Sequence, residues 1–308
     1  MNREQYLESI AVREFIVWFS ERCETIEVSL KIRKSAFVSA EIDKNVVGLP
    51  AVVNFYSWKS KWSFSGQEVT SDDWRTTMLS LAELRKQLID IIFVQKNRNL
   101  AYEALRAVFQ WGGGSRNLNV GAQKFLETVP DICDYIQMYS EILRLDSATI
   151  DPDSAGAPAQ RFPPMMNAML TKVHSLVSPD GLPIYDSRVG GAIASLVAVY
   201  CAEQRQINAS LEGVPRLLQF PMTERNPRRS VPEVLAEYSS FFINRESDKR
   251  ARSAAQWTSA KIRLGWIMQM ILDLRPSLFS SHPKEFRMRA FEAALFMIGY
   301  DTGSIVTR

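Results

Sequence analysis

Apolar side chains recur at helical spacing over the first residues of the chain. Leu7, Ile10, Phe15, Trp18 and Phe19, with charges between them, predict a helix over Glu4–Glu21. From Ile26 to Phe64 the period shortens to two. β-Branched and aromatic residues alternate with polar ones (IEVSLKI, VVNFY, WSFSG), and Gly48, Pro50 and Gly66 punctuate them, which predicts short strands. Thr70-Ser71-Asp72-Asp73 sets hydroxyls and acids where the positive end of a helix dipole favours them, so a helix is expected over Asp72–Val94. Further helices are expected over Leu100–Trp111, Gly121–Thr128 and Pro130–Leu145. The first of these stops at Gly112-Gly113-Gly114, read as a helix-to-helix joint or a phosphate approach.

The stretch Asp151–Pro158 has the composition of a linker. Beyond it, helices are predicted over Pro164–Val177, Asp186–Gln206, Pro232–Asn244, Ala251–Leu274 and Pro283–Tyr300. A turn falls at Ser178–Gly181 and a Pro- and Arg-rich loop over Gly213–Pro232. Trp257 and Trp266 fall in an apolar pattern with Ile262, Ile267 and Ile271 and read as core. The fold class expected is mainly α with a small N-terminal β element. Three parts are expected: residues 1–70 with a helix and short strands, 71–150 as a helical subdomain, and 151–308 as a second one.

Composition narrows the classes. With 308 residues, 46% of them hydrophobic and 23% charged, the chain can bury a sizeable core. Cys23, Cys133 and Cys201 are few and far apart, and only His174 and His282 supply imidazoles. That spacing gives no disulfide framework and no zinc motif, so no metal is expected; no organic cofactor is expected either. The longest uncharged apolar stretch, Val189–Ala202, falls short of the ~18 residues of a membrane span. The N-terminus has acids at Glu4 and Glu8 and lacks a leader pattern. A soluble, cytoplasmic protein is expected.

Net charge is +3, but residues 201–308 carry 16 basic against 11 acidic side chains. The excess clusters at Arg225, Arg228 and Arg229, at Lys249, Arg250 and Arg252, at Lys261 and Arg263, and at Lys284, Arg287 and Arg289. A face of this kind is either a polyanion surface or a solvated helix surface.

Phosphate-loop, dinucleotide, nucleophile-elbow and zinc-protease motifs do not occur. The chemistry-bearing stretch is Leu170-Thr171-Lys172-Val173, followed by Leu182-Pro183-Ile184-Tyr185-Asp186-Ser187-Arg188-Val189. Lys172 lies in an amphipathic helix among Met166, Met169, Val173 and Leu176, where desolvation lowers an amine's pKa. Asp186 stands where the next helix begins and can cap it while staying ionised. Two helices joined by a short turn would bring both groups to one cleft. On spacing alone, a capping Asp186 and a snorkelling Lys172 fit as well.

This arrangement resembles the catalytic stretch of the helix-hairpin-helix DNA glycosylase superfamily, most closely its 8-oxoguanine glycosylase branch. Thr171-Lys172-Val173 matches that branch's lysine element and Pro183-Ile184-Tyr185-Asp186 its aspartate element. The likeness is close over about 20 residues, and the rest agrees in outline. The family's glycine-containing hairpin is replaced here by Pro163–Met169, and the Lys–Asp gap is shorter.

The resemblance implies a helical body with its site in a cleft between helices. It also implies base excision from double-stranded DNA that carries a modified base, either an oxidised purine or a hypermodified phage cytosine met in antiviral defence. Asp186 would stabilise charge on the sugar. Lys172 would either attack C1′ or contact a phosphate. Arg188 suits a phosphate or a helix-pairing role, Asn167 a base edge or a cap, and Trp111 an extruded base or the core. Tyr185 flanks the carboxylate. Arg225, Arg228, Arg229, Lys261 and Arg263 are the candidate phosphate contacts. The competing expectation is a non-enzymatic helical adaptor.

Overall fold

A computed structural model describes residues 1–113, 120–150, 162–207, 213–221, 250–301 and 303–305. The linker at Asp151–Pro158, the helix expected over Pro232–Asn244, and Arg225, Arg228, Arg229 and Lys249 lie outside the described residues.

The chain begins with α1 (Arg3–Leu7) and α2 (Ile10–Arg22), where one helix is expected from the sequence. Two antiparallel hairpins follow. β1 (Glu27–Ile32) pairs with β2 (Ile42–Val47), with Val28 opposite Val46. β3 (Ser60–Phe64) pairs with β4 (Gln67–Ser71), with Trp62 opposite Val69. Their turn uses Ser65 and Gly66, both at positive φ. Alternation decides which faces are buried: Val28, Leu30 and Ile32 on β1, and Ser60, Trp62 and Phe64 on β3. Between the hairpins, the VVNFY region does not form a strand. Its valines belong to a short helix, α3 (Leu49–Val53), with Pro50 in its first turn, where a missing N–H costs no helical bond.

The helical body starts with α4 (Trp74–Ile89), capped by Asp73 and followed by a π-helical turn over Asp90–Gln95. Thr70 and Ser71, expected in the cap, instead finish β4. Next come α5 (Arg98–Gly113), α6 (Val120–Glu127), α7 (Ile132–Ile142) and α8 (Leu170–Val177). Then follow α9 (Ser187–Ile207), α10 (Arg250–Leu274) and α11 (Arg287–Ile298). The fold is mainly helical with two small two-stranded sheets. Among the described residues, no helix is long and apolar enough to cross a membrane.

The three expected parts share one hydrophobic core, in which residues of all three ranges are buried together. Main-chain bonds stitch distant segments: Met1 N–H3+ donates to the Ile150 carbonyl, and Ser29 N–H to that of Ser304. Trp58 packs edge-on against Phe296 of α11. Trp257 and Trp266 are buried, as their pattern predicts, and donate to the carbonyls of Tyr185 and Leu145.

Candidate functional site

All eight residues of α8 are buried, so this short helix is enclosed on every side. It begins later than expected. Asn167 Oδ1 accepts the N–H groups of Met169 and Leu170, so the helix starts only at Leu170. The preceding Pro163-Pro164 disfavours helical geometry in the residues before them. Asn167 therefore holds a backbone turn.

The same construction opens α9. Asp186 Oδ1 accepts the N–H groups of Arg188, at 2.9 Å, and Val189, at 3.2 Å. One oxygen is spent on the cap. The other, Oδ2, lies 3.5 Å from Lys172 Nζ, with both side chains under a tenth exposed. Lys172 also donates to the Ala168 carbonyl at 2.8 Å. The two helices thus deliver their charged groups to one point, as the sequence spacing suggests.

Burial would push the Asp186 carboxyl up. Lys172, Arg188 and the two capping N–H groups outweigh that and hold it below the usual carboxylate range. Burial pulls the Lys172 amine down from its ordinary value, and Asp186 partly restores it. Gly112 makes room for this lysine. A Cβ there would lie 2.6 Å from Lys172 Cδ, so α5 can pass this close only with glycine. The glycines at 112 and 113 therefore continue α5 and do not end it beforehand; Gly114 lies outside the described residues.

Lys172 and Asp186 line a cavity of about 30 Å³ whose walls include Tyr56, Trp58, Trp74, Trp111 and Phe296. That is space for ~one or two water molecules. Where an open cleft is expected, the structure has a small cavity with several aromatic walls. Gly190, at the start of α9, lies against Tyr185 and the Pro221 carbonyl and does not line the cavity. Leu81 and Arg289 line this cavity and also an open groove of about 1080 Å³, which Arg85, Lys86 and Lys284 border as well.

Other expected contacts resolve differently. Trp111 is buried yet lines the cavity, and among the described residues its indole N–H has no partner. Arg188 lays its guanidinium over the rings of Trp58, Phe296 and Tyr300, at 5.0, 4.8 and 4.2 Å from their centroids. Tyr185 points its hydroxyl to the Pro221 carbonyl and is not a cavity wall.

Lys261 and Arg263 are not on the surface. Lys261 is fully buried and donates to the Thr171 carbonyl, at 2.7 Å, and Ser175 Oγ, at 2.8 Å. Arg263 ties down the carbonyls of Leu217 and Gln219 beneath Phe220. Both cations satisfy internal acceptors, so the expected phosphate role fails for them in this arrangement.

The sequence reading missed Glu292. This buried acid on α11 accepts the Ile184 N–H at 2.7 Å and Arg289 Nη1 at 2.6 Å, both on Oε2, and lines the same cavity. Its signal was an acid inside the apolar run Phe291–Ile298. Burial raises its pKa, while Arg289 and the Ile184 N–H oppose the rise.

Comparison with protein-family profiles, curated proteins and solved structures finds no match for this chain.

Proposed function

We propose that this protein is a DNA glycosylase that draws a modified base out of the duplex and cleaves its N-glycosidic bond, leaving an abasic site. The observation that carries the reading is the buried Lys172–Asp186 pair, 3.5 Å apart in an aromatic-walled cavity. The motif resemblance points the same way. A base must leave the stack to be excised, and aromatic walls suit a planar guest. The cavity is smaller than a base, so the walls must part to admit one.

The chemistry follows from the charges. As the C1′–N bond breaks, its electron pair leaves with the base and positive charge grows on the sugar. An ionised Asp186, with Oδ2 uncommitted to the cap, stabilises that charge. In the bifunctional route Lys172, as free amine, adds to C1′ as the C1′–N bond breaks, and one of its N–H protons passes to the departing base. Transfer of the second N–H proton to O4′ as the C1′–O4′ bond breaks opens the sugar ring and leaves an imine between Nζ and C1′. In the monofunctional route water is the nucleophile and Lys172 serves as a fixed charge. The groove beyond Leu81 and Arg289 offers Lys86 and Lys284 to the phosphates of the approaching strand. An oxidised purine and a hypermodified phage cytosine are the two substrate classes, the second placing the protein in antiviral defence. Three separate buried cysteine thiols suit the cytoplasm.

A second reading is favoured by one observation, the tightness of the cavity. Here the pair is a structural ion pair inside a helical nucleic-acid-binding or adaptor module. The deciding experiment incubates the protein with duplexes containing 8-oxoguanine and with phage DNA containing glucosylated hydroxymethylcytosine, and counts abasic sites. Sites that form with the wild type and vanish with Asp186→Asn support the glycosylase. Borohydride trapping that is lost in Lys172→Ala adds the lyase step. No release from any modified DNA leaves the binding module.

A further inference from the structure

The cavity that holds the Lys172–Asp186 pair is also lined by polar groups that this chemistry does not use. Glu292 receives both of its hydrogen bonds on Oε2, and among the described residues none reaches Oε1. Arg289, bonded to it at 2.6 Å, fixes it as an acceptor, and the Ser175 carbonyl anchors Arg289 in turn. Trp111 supplies a buried indole N–H that has no partner among the described residues. An acceptor and a donor thus line a cavity whose walls also include Thr77, Ile184, Val189 and four further aromatic rings. The Trp111 N–H is buried without a partner, which is costly, so a guest that pairs both it and Glu292 Oε1 gains over one that pairs neither.

We propose that Glu292 and Trp111 make this site selective for bases that carry an exocyclic amine. The amine donates to Glu292 Oε1, and a ring nitrogen or carbonyl of the same base accepts from Trp111 Nε1. A base with a keto oxygen in place of the amine sets that oxygen against the carboxylate and is rejected. Carboxylate acceptance from an amino group is an established means of reading bases. The selectivity rests on the glycosylase reading, and it narrows the substrate from modified bases in general to amine-bearing ones.

The test compares bases that carry the amine with counterparts that carry a keto oxygen in its place: 5-hydroxymethylcytosine against 5-hydroxymethyluracil, and 8-oxoguanine against 8-oxoxanthine, each in the same duplex. Wherever release occurs, the amine-bearing member is expected to react at least about tenfold faster. Glu292→Gln, which can turn a donor toward a keto oxygen, is expected to erase or invert that ratio. Trp111→Phe is expected to slow both members of a pair. A wild type without amine preference, or a preference that survives Glu292→Gln, overturns the proposal and leaves the glycosylase intact.

A second measurement does not depend on catalysis. Quenching of tryptophan fluorescence is followed with free cytosine and uracil as probes. Stronger quenching by cytosine that disappears in Glu292→Gln supports amine recognition even if no base is released and the glycosylase reading falls. Equal responses to the two probes overturn it.

Discussion

The Tyr185 N–H donates to Thr171 Oγ1 across 2.9 Å. Thr171 immediately precedes Lys172, and Tyr185 immediately precedes Asp186. This single bond therefore sets the start of α9 against the first turn of α8, and with it the spacing of the two charged groups. Lys261 holds the same threonine from behind, through its carbonyl. Replacing the hydroxyl with a methyl, Thr171→Val, keeps the shape but strands a buried N–H. The expected cost is about 1–3 kcal/mol in urea unfolding, together with reduced base release. Thr171→Ser retains the bond and is expected to keep most of the activity.

Asp186 combines two roles that substitution separates. Asn caps helices about as well as Asp, so Asp186→Asn is expected to retain the fold by circular dichroism. Base release is expected to fall by about 10²-fold or more, because the negative charge at the sugar is gone. Asp186→Ala removes the cap as well and leaves Lys172 buried without its partner, and its unfolding midpoint is expected to drop well below that of the Asn variant.

His174 is buried on α8, and neither ring nitrogen has a partner among the described residues. Burial, reinforced by the Lys261 ammonium, pushes its pKa down from 6.5 to about 3. Between those values the unfolded chain binds the proton and the folded one does not. Stability is therefore expected to rise with pH across that window, and to be lost as pH falls through it. The contribution approaches about 1.4 kcal/mol per pH unit. His174→Phe keeps a ring packed beside those of Tyr135 and Tyr139 and removes this component. Chemical denaturation from pH 4 to 7 is expected to show a shallower slope for the variant. Identical slopes would contradict the assignment.

Gly112→Ala tests the close passage of α5 over the lysine. Alanine favours a helix over glycine by about 1 kcal/mol, which partly offsets the cost of parting a buried ammonium from its carboxylate, so the unfolding midpoint is expected to fall less than in Asp186→Ala. The new methyl displaces Lys172 from its position against Asp186. The expected result is a marked fall in base release and in borohydride trapping with an unchanged circular dichroism spectrum.

The legibility of the site follows the range of its interactions. Lys172 and Asp186 stand out in the sequence because each belongs to a local pattern, an amphipathic helix and a helix cap. Glu292, Tyr56 and Trp58 do not, since they reach the cavity only because α11 and the N-terminal segment fold against α8 and α9. Lys261 and Arg263 read as surface cations because Lys and Arg are almost always exposed. Here the carbonyls of Thr171, Leu217 and Gln219 supply internal acceptors, and no sequence pattern encodes carbonyls.

What the sequence by itself determined is local: the mainly helical class, short strands near the N-terminus, most helix positions, a helix start near Asp73 and the cap at Asp186. Each of these depends on periodicity and on side chains bonding to backbone a few residues away. The tertiary structure alone decided the rest. It fused three expected parts into one core, made a small cavity where an open cleft was expected, and turned two expected phosphate contacts inward. Those outcomes depend on contacts between residues about 50 to 300 positions apart, and their geometry exists only once the helices have packed.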